Sequence, residues 1–278
     1  MIIWITSYPK SGNTWVRSLI SSYYYSKDGI FNFDLLENIH QYPSPRYFKE
    51  KITKPGEVSR YWKSSQERII KNNKYIFLKT HNALVSLNKN SFTSGTFSLG
   101  AIYIIRDPRN IITSLKNHYN FKDYDTSIEF MTSEKKYLWD NRYRNNHTGF
   151  QFLSSWSSHY KSWLYNKSFK IFFLKYEDLE KNPQTTLYEI IKFINFLKND
   201  KTEIDKKKLL NCIQSTKFNL LKKKEKELGF PENVGYDQKK RIDFFNLGPK
   251  NRWKKILSSK ILFKANEIFK KDLEQLKY

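Results

Sequence analysis

Four short segments of the chain are rich in apolar, β-branched and aromatic residues, and turn-forming residues bound each of them. Runs of this length and composition are typical of buried β-strands. The predicted strands are Met1–Ser7, Tyr75–Thr80, Ala101–Arg106 and Phe169–Lys175. We expect these four segments to form the central sheet of the fold.

Helical patterns separate the strands. Thr14–Tyr25 follows the first strand, Pro108–Tyr119 follows the third, and Thr186–Leu197 carries apolar residues at helical spacing. Pro108 suits a first helical position, because the N–H group that proline lacks would have no partner there. Strands that alternate with helices predict a three-layer α/β/α fold around a mainly parallel sheet. Since no internal repeat or interdomain linker is seen, residues 1–278 are expected to form a single domain.

Three regions depart from this alternation. Residues 41–66 combine proline, tyrosine, arginine and lysine, and are interpreted as an insertion or a surface helix. Residues 123–150 are polar and aromatic, and residues 200–240 are rich in lysine. Long insertions often carry binding residues. Solvated surface is an equally good interpretation of any single residue in these regions.

The composition limits the class of protein. The 278 residues are 39% hydrophobic and 17% aromatic, which is enough to bury a core and argues against disorder. No apolar run approaches the roughly 20 residues that span a bilayer, and the N-terminal sequence does not resemble a secretory signal. Cys212 is the only cysteine and cannot form an internal disulfide, which suits a reducing compartment. A cytoplasmic location is therefore expected.

The formal net charge is +23, from 50 lysines and arginines against 27 aspartates and glutamates. Such a charge attracts anions, whether nucleotides, nucleic acids, acidic glycans or an anionic membrane surface. The chain is also heavy in Lys, Asn, Ile, Phe and Tyr, as an AT-rich genome would produce. Charge alone therefore identifies no partner.

The first predicted strand runs into the sequence YPKSGNTW, which has the parts of a phosphate-binding loop. A loop between a buried strand and a helix aims backbone N–H groups and the helix dipole at one point, where a phosphate fits. Ser11, Asn13 and Thr14 add hydroxyl or amide donors, and Gly12 lets the backbone approach closely. Lys10 supplies a positive charge. It precedes the glycine, whereas the lysine of nucleotide triphosphate loops follows it.

This loop resembles the 5′-phosphosulfate loop of sulfotransferases that use 3′-phosphoadenosine-5′-phosphosulfate (PAPS), in which the lysine also precedes the glycine. Trp15 offers a flat face for the purine ring. The segment IYIIRDPRNIITSLKNHY is similar to the family's 3′-phosphate segment and identifies Arg106 and Ser114 as its ligands. FLKTH is similar to the family's lysine-threonine-histidine element, and FFLKYEDLEKNP places Tyr176 at the position of a nucleotide-contacting tyrosine. The four elements occur in the family's order.

The C-terminal part of the chain matches the family less closely. STKF is similar to the segment beside the adenine and suggests Thr216 and Phe218 as contacts. In FFNLGPKNRWKK, Gly248 and Trp253 keep the positions of the family's glycine and tryptophan. The resemblance therefore extends the nucleotide site to this end of the chain.

The same C-terminal motif departs from the family at its first two positions. Asn246 stands where the family has an arginine, and Leu247 stands where it has a lysine. This departure weakens the 3′-phosphate contacts that the resemblance implies. Lys250, Arg252 and Arg241 are candidate substitutes for the missing arginine.

The resemblance implies transfer of a sulfuryl group from PAPS to a hydroxyl or amine of an acceptor, without a metal ion. Positioning and charge stabilisation should do most of the work in such an in-line transfer. Lys10 is expected to stabilise the departing phosphate oxygen. Lys79 is expected to contact the sulfuryl oxygens, because it shares a strand face with His81. His81 is the expected general base, since a histidine of ordinary pKa is largely neutral near pH 7.

Structural roles compete with several of these assignments. The alternative for Arg106 is an ion pair with Asp107 or Glu177, and the alternative for Trp15 is packing in the core. Glu177 and Asp178 are interpreted as fixing the turn after the last predicted strand. The remaining histidines are interpreted as non-catalytic; they are His40, His118, His147 and His159.

Two other functions stay open on the sequence alone. One is a kinase-like phosphotransferase or nucleotide hydrolase of related fold, because the aspartate of YIIRD could imitate a strand-ending magnesium ligand. The other is a nucleic-acid-binding module with a basic, aromatic surface. The loop lacks glycine-lysine-serine/threonine, and no nucleic-acid-binding motif is seen, so both are weaker predictions. The acceptor is expected to be a glycan, a glycolipid or a small metabolite, and a homodimer stays open.

Overall fold

The computed structural model describes residues 1–71, 74–139, 146–230, 232, 236–237, 240–241 and 243–278. Its β-strands are β1 (Ile2–Ser7), β2 (Ile76–Thr80), β3 (Ser86–Leu87), β4 (Asn90–Ser91), β5 (Ser98–Ile105), β6 (Tyr137–Leu138), β7 (Gln151–Phe152), β8 (Lys170–Lys175), β9 (Tyr236–Asp237) and β10 (Lys240–Arg241). Its α-helices are α1 (Asn13–Tyr25), α2 (Trp62–Lys71), α3 (Pro108–Tyr119), α4 (Tyr124–Thr132), α5 (Trp156–Leu164), α6 (Tyr176–Lys181), α7 (Pro183–Lys198), α8 (Lys206–Ser215), α9 (Phe218–Leu228), α10 (Trp253–Ile256) and α11 (Ser259–Leu276). Its 3₁₀ helices are Phe33–Asn38, Pro45–Tyr47, Glu57–Tyr61 and Gly248–Lys250.

A parallel four-stranded sheet forms the centre of the fold, in the order β2-β1-β5-β8. Thr6 on β1 pairs with Thr80 on β2 and with Tyr103 on β5, and Ile105 on β5 pairs with Lys175 on β8. The carboxyl ends of all four strands therefore meet at one edge of the sheet. Open parallel sheets bind their ligands at this edge.

Alternate residues of the same strands bury the two faces of the sheet. Trp4 and Tyr103 belong to one hydrophobic cluster, which helices α2, α3, α4, α5 and α11 complete. Ile3 and Ile102 belong to a second cluster, which α1, α7 and α8 complete. Successive side chains of a strand point to opposite faces, so each strand contributes to both clusters. The predicted three-layer α/β/α fold is therefore confirmed.

The four predicted strands and three predicted helices are present, with small shifts at their ends. The strand predicted from Ala101 begins at Ser98, and the helix predicted from Thr186 begins at Pro183. Pro183 occupies the first helical position, where its missing N–H costs nothing. These elements were predictable because local composition and tertiary packing favour the same structure.

The interpretation of residues 41–66 as an insertion or a surface helix was wrong. This region passes through two 3₁₀ helices into the start of α2, and its large side chains lie in the main core. Its buried hydrophobic residues are Tyr42, Phe48, Ile52, Val58 and Trp62. These buried residues recur at neither the helical nor the strand period. The proline and basic residues between them therefore determined how the sequence of this region was interpreted.

The other two irregular regions also contain helices. Residues 123–150 begin with α4, whose Ile128 and Met131 are buried, and residues 200–240 contain α8 and α9. Within the part of the chain that the structure describes, no helix is both long enough and apolar enough to cross a membrane.

Asp107 ties the sheet edge to the C-terminal part of the chain. It is the N-cap of α3, and its buried carboxylate accepts hydrogen bonds from the backbone N–H of Arg109 at 2.9 Å and from Arg109 Nη2 at 2.8 Å. Trp253 Nε1 donates to the same carboxylate at 3.0 Å, and the Arg109 guanidinium lies 4.0 Å from the Trp253 ring. The residue that follows Arg106 at the sheet edge therefore has both of its carboxylate oxygens engaged by protein groups.

We expect Asp107→Ala to lower the free energy of unfolding by about 3 kcal/mol, because it leaves the buried Arg109 charge without its partner and removes a helix cap. Urea unfolding of the purified chain measures this. Asp34→Ala is the matched control; Asp34 is exposed, and its removal should change stability by less than about 0.5 kcal/mol. Equal losses in the two variants would contradict the role assigned to Asp107.

Candidate active site

A cavity of about 890 Å³ opens at the carboxyl edge of the sheet. Its wall brings together most of the residues singled out in the sequence: Lys10, Gly12, Asn13, Thr14, Trp15, Lys79, His81, Arg106, Ser114, Tyr176, Thr216, Phe218 and Gly248. Ser11 is fully buried behind this wall. Ligand cavities of proteins commonly measure 300–1,000 Å³, so this one is large enough for a ligand of nucleotide size together with a second molecule.

The loop after β1 has a strained backbone where it faces the cavity. Lys10 and Gly12 both have positive φ values, of 65° and 100°. A side chain at Gly12 would place its Cβ atom 2.8 Å from Cε2 of Tyr176, so only glycine fits here. Helix α1 begins at Asn13, directly after this turn, and its first N–H groups lack intrahelical acceptors. The loop therefore presents the positive end of a helix dipole to the cavity.

Arg106 holds the loop in place from the end of β5. Its Nη1 donates to the carbonyl oxygen of Lys10 at 3.0 Å, and its guanidinium lies 4.1 Å from the centre of the Tyr176 ring. Its Nε is buried and has no hydrogen-bond partner among the described residues, and the same is true of Ser11 Oγ. Buried donors without partners are costly, so these two atoms are suited to an acceptor that a ligand supplies.

The pairings that competed for Arg106 in the sequence are made by other groups. Asp107 pairs with Arg109. Glu177 accepts from the Asp107 N–H at 3.1 Å and from the Tyr278 hydroxyl at 2.9 Å, so it joins the start of α6 to the segment after β5 and to Tyr278.

Two predicted ligand residues also bond to protein groups. Asn13 Nδ2 donates to the Ile5 carbonyl oxygen at 3.2 Å and to Ser7 Oγ at 3.3 Å, which ties the start of α1 to β1. Ser114 Oγ accepts from Asn251 Nδ2 at 3.0 Å. Asn251 is buried and was missed in the sequence, since an asparagine in a C-terminal loop carries no recognisable signal.

The predicted adenine contacts form one side of the cavity. Trp15 meets Tyr176 edge to face, with ring centres 5.8 Å apart, and its Nε1 donates to Thr216 Oγ1 at 3.4 Å. Phe218 packs directly on Gly248, so closely that no side chain fits at that glycine. The two halves of the weak C-terminal resemblance therefore contact each other in the fold.

Neither Arg252 nor Lys250 belongs to the described cavity wall, although Glu180, the ion-pair partner of Arg252, does. Arg252 pairs with Glu180 at 2.8 Å, and Lys250 is exposed. The side chain of Arg241 lies outside the part of the chain that the structure describes. Asn246 is exposed, and its carbonyl oxygen accepts from Lys222 Nζ at 3.0 Å.

A carboxylate that the sequence did not indicate lies among the cationic groups. Glu232 lines the cavity, where it pairs with Arg17 and with Lys79 Nζ at 3.4 Å. Burial acts to raise the pKa of Glu232, but Arg17 and Lys79 hold it well below its usual range. Glu232 lies more than 150 residues from Lys79 in the sequence, so only the fold brings the two together.

Lys10 and Lys79 are both withdrawn from water. Burial, followed by the Arg106 charge, lowers the pKa of Lys10 to about 7. Burial also lowers the pKa of Lys79, while Glu232 opposes this shift. The Lys10 ammonium group lies 4.1 Å from the centre of the Phe244 ring. An anionic ligand beside these lysines would favour their charged forms and be bound by them.

The ring of His81 is held in one orientation at the end of β2. Its Nδ1 donates to the Ser7 carbonyl oxygen at 2.7 Å, which leaves the lone pair of a neutral ring on Nε2. Burial and then the Lys79 charge lower the pKa of His81 to about 3. The ring is therefore neutral at pH 7 and carries its proton-accepting nitrogen on the side away from Ser7.

Two further bonds fix the backbone of His81. The Gln151 side-chain oxygen accepts from the His81 N–H at 2.7 Å. His159 Nε2 donates to the His81 carbonyl oxygen at 3.0 Å, and the Tyr103 hydroxyl bonds to His159 Nδ1 at 2.7 Å. His159 is thus a buried structural histidine, which agrees with its non-catalytic interpretation.

The remaining histidines occupy different places. His40 bonds to Arg46, and His147 is buried and stacks on Trp139 with ring centres 4.3 Å apart. His118, in contrast, lines the cavity.

The sequence matches one protein family along almost its whole length. Residues 2–277 match the family described as the sulfotransferase domain. The chain belongs to this family. The match covers nearly the whole sequence, so both the donor loop and the weaker C-terminal motif lie inside it.

Individual sulfotransferases with similar sequences support membership of the same family. The chain is 27% identical over 219 residues to sulfotransferase 1B1 of the dog, Canis lupus familiaris, across 78% of this chain and 65% of that protein. It is 25% identical over 194 residues to sulfotransferase 1A1 of the rat, Rattus norvegicus, across 68% of this chain and 58% of that protein. The matched part is thus less than two thirds of either relative's length.

Solved structures share the fold at low sequence identity. Mouse sulfotransferase SULT7A1 complexed with PAP matches with a TM-score of 0.56 and 17% identity, over 98% of this chain and 84% of that one. A retinol dehydratase in complex with retinol and PAP matches with a TM-score of 0.58 and 16% identity, over 98% and 81% of the two chains. These matches confirm the predicted sulfotransferase fold.

We expect Gly12→Ala to lower the free energy of unfolding by about 2 kcal/mol, because the new methyl group meets the Tyr176 ring and φ at this position is positive. Urea unfolding measures the change. Gly149→Ala is the matched control, since nothing lies within 4 Å of its Cβ position. A Gly12→Ala variant as stable as Gly149→Ala would refute the described packing of the loop on Tyr176.

Proposed function

We propose that this chain transfers the sulfuryl group of PAPS to a hydroxyl group of an acceptor. The observation that carries the proposal is the pair of buried donors, Ser11 Oγ and Arg106 Nε, which lack partners among the described residues beside a helix N-terminus and Lys10. The two ends of PAPS would each satisfy one of these donors: the 5′ end would accept from Ser11 Oγ and the first N–H groups of α1, and the 3′-phosphate would accept from Arg106. An amine is the alternative acceptor group. We also propose that residues 1–278 form a single domain.

The residues of the cavity fit PAPS along its length. The loop with Lys10 and Ser11 would hold the 5′ end, and Trp15 and Phe218 would border the adenine. Arg106 and Ser114 would bind the 3′-phosphate. Two named structural neighbours were solved with PAP, which supports this assignment by analogy. Ser114 would have to share its hydroxyl between Asn251 and the phosphate, which a hydroxyl allows because it both donates and accepts.

The chemical roles follow from the charges at the sheet edge. When bound, PAPS would supply the sulfuryl group and a phosphate leaving group. Lys10 would place its ammonium charge beside the departing oxygen, and Lys79 would orient the sulfuryl oxygens. His81 would accept the proton of the acceptor hydroxyl at Nε2, while the Ser7 carbonyl oxygen holds Nδ1–H in place. Asp107, the magnesium ligand of the kinase-like alternative, has its oxygens engaged by Arg109 and Trp253.

We expect adenosine 3′,5′-bisphosphate (PAP) to raise the thermal unfolding midpoint more than ADP, or ATP with magnesium. A ligand at about 100 times its dissociation constant adds roughly 2.7 kcal/mol, which corresponds to about 5 °C or more. The Arg106→Ala variant, which loses the guanidinium contacts, should respond weakly to PAP. Preference for ATP with magnesium would overturn the proposal and favour the kinase-like function. Salt-sensitive binding of random oligonucleotides that PAP does not displace would favour the nucleic-acid-binding function.

We expect Lys10→Ala and His81→Ala each to lower the turnover of PAPS-dependent sulfation by at least about 100-fold, since each removes one charge or proton acceptor from the reacting centre. The assay follows transfer of the labelled sulfuryl group to phenol. His81→Ala should keep the PAP-induced rise in melting temperature, because His81 serves the acceptor side.

His40→Ala is the control for the histidine substitution, since His40 bonds to Arg46 and is not part of the cavity wall. It should keep wild-type turnover. Near wild-type turnover of His81→Ala would show that another group takes the proton.

A further inference from the structure

His118 is a cavity residue whose ring packs against two aromatic side chains. It lies in the last turn of α3 and meets Tyr119 at 4.8 Å and Phe244 at 5.8 Å between ring centres, both edge to face. Neither ring nitrogen takes part in a hydrogen bond with any described residue, and the side chain is half-buried in the cavity wall. The ring is thus positioned by packing, and its nitrogens are left for a ligand.

The ring of His118 is neutral in this setting. Burial, followed by the charges of Lys10 and Lys79, lowers the pKa of His118 below its ordinary value. A neutral imidazole has one N–H donor and one acceptor nitrogen. It is matched to a hydroxyl group, which can bond to either nitrogen, and it has no charge with which to bind an anion.

His118 lies close to the groups assigned to the reaction. Phe244 contacts the His118 ring and lies 4.1 Å from the ammonium of Lys10. Lys10, Lys79 and His81 line the same cavity as His118. A hydroxyl bound by His118 would therefore lie on the same acceptor molecule as the hydroxyl that reacts.

The cavity that His118 lines also has neutral hydrogen-bonding groups and a flat aromatic ring in its wall. Gln41, Ser44 and Asn117 line it, and Trp139 adds an aromatic face. The Trp139 ring is fixed, because its Nε1 donates to the Asn146 carbonyl oxygen at 3.0 Å and one face stacks on His147. Such a wall suits a molecule with several hydroxyl groups better than a purely apolar one.

We propose that His118 is a specificity-determining residue that hydrogen-bonds a second hydroxyl group of the acceptor, near the hydroxyl that receives the sulfuryl group. The inference rests on the proposed function and adds the class of acceptor to it. The acceptor carries at least two neighbouring hydroxyls, as sugars and catechols do. An acceptor with one hydroxyl leaves the imidazole nitrogens of His118 unbonded in the cavity. We therefore expect it to be sulfated with a lower kcat/KM.

The test uses the full chain, PAPS and two matched pairs of acceptors. Catechol is compared with phenol, and methyl β-glucoside with cyclohexanol. The wild-type chain should favour the member with several hydroxyls in at least one pair, and the favoured pair distinguishes an aromatic diol from a sugar. In His118→Phe, which keeps the ring contacts with Tyr119 and Phe244, the ratio of kcat/KM values within that pair should fall about tenfold.

Three variants separate hydrogen bonding from packing. His118→Asn, which retains one donor and one acceptor group, should recover part of the lost preference. His40→Phe replaces a histidine outside the cavity and should keep the wild-type ratio. PAP should raise the melting temperature of His118→Phe as it does for the wild-type chain, which shows that the donor site is intact.

The outcomes separate the two proposals. A wild-type chain that binds PAP but sulfates only phenol and cyclohexanol, or none of the four acceptors, overturns the role of His118 and leaves the donor assignment standing. An unchanged ratio in His118→Phe also overturns it. A chain that PAP does not stabilise and that sulfates nothing refutes the proposed function, and the inference falls with it.

Discussion

The contact between Arg106 and the loop after β1 is the interaction on which the site depends. Arg106 follows β5, Lys10 lies in the loop after β1, and Tyr176 follows β8. The guanidinium group bonds to the Lys10 carbonyl oxygen and stacks on the Tyr176 ring, so one side chain joins three strand ends. The same ring excludes any side chain at Gly12. The position of the loop, the start of α1 and this part of the cavity wall are therefore set together.

Charge is the second constraint on the site. Lys10, Lys79, Arg17 and Arg106 are brought near one cavity, and desolvation of the lysines lowers their pKa values. Glu232 offsets part of this positive charge through its ion pairs with Arg17 and Lys79. A bound phosphate group would supply the rest of the compensation, since a partly buried cation is stable only beside a negative partner. The net charge of +23 is a much weaker indicator of an anion-binding site than this local arrangement of charged groups.

The sequence predicted the elements whose local pattern and tertiary environment agree. The strands of the sheet are hydrophobic because both faces are buried, and helices α1, α3 and α7 carry apolar residues at helical spacing. Residues 41–66 were misread because Trp62 and Tyr42 reach the core from irregular backbone, which leaves no period to detect. The helices of residues 200–240 were missed because lysines dominate their exposed faces.

By itself, the sequence determined the loop after β1, Arg106 after β5 and the histidine after β2 as site candidates, because these residues lie in short segments that resemble motifs of the sulfotransferase family. Only the tertiary structure decided what surrounds them. Glu232, Asn251 and His118 lie in separate parts of the chain, and each reaches the cavity through packing between distant elements. A parallel sheet gathers the ends of strands that are far apart in sequence at one edge. The nearest neighbours of the reacting groups are therefore set by the fold, and no local pattern records them.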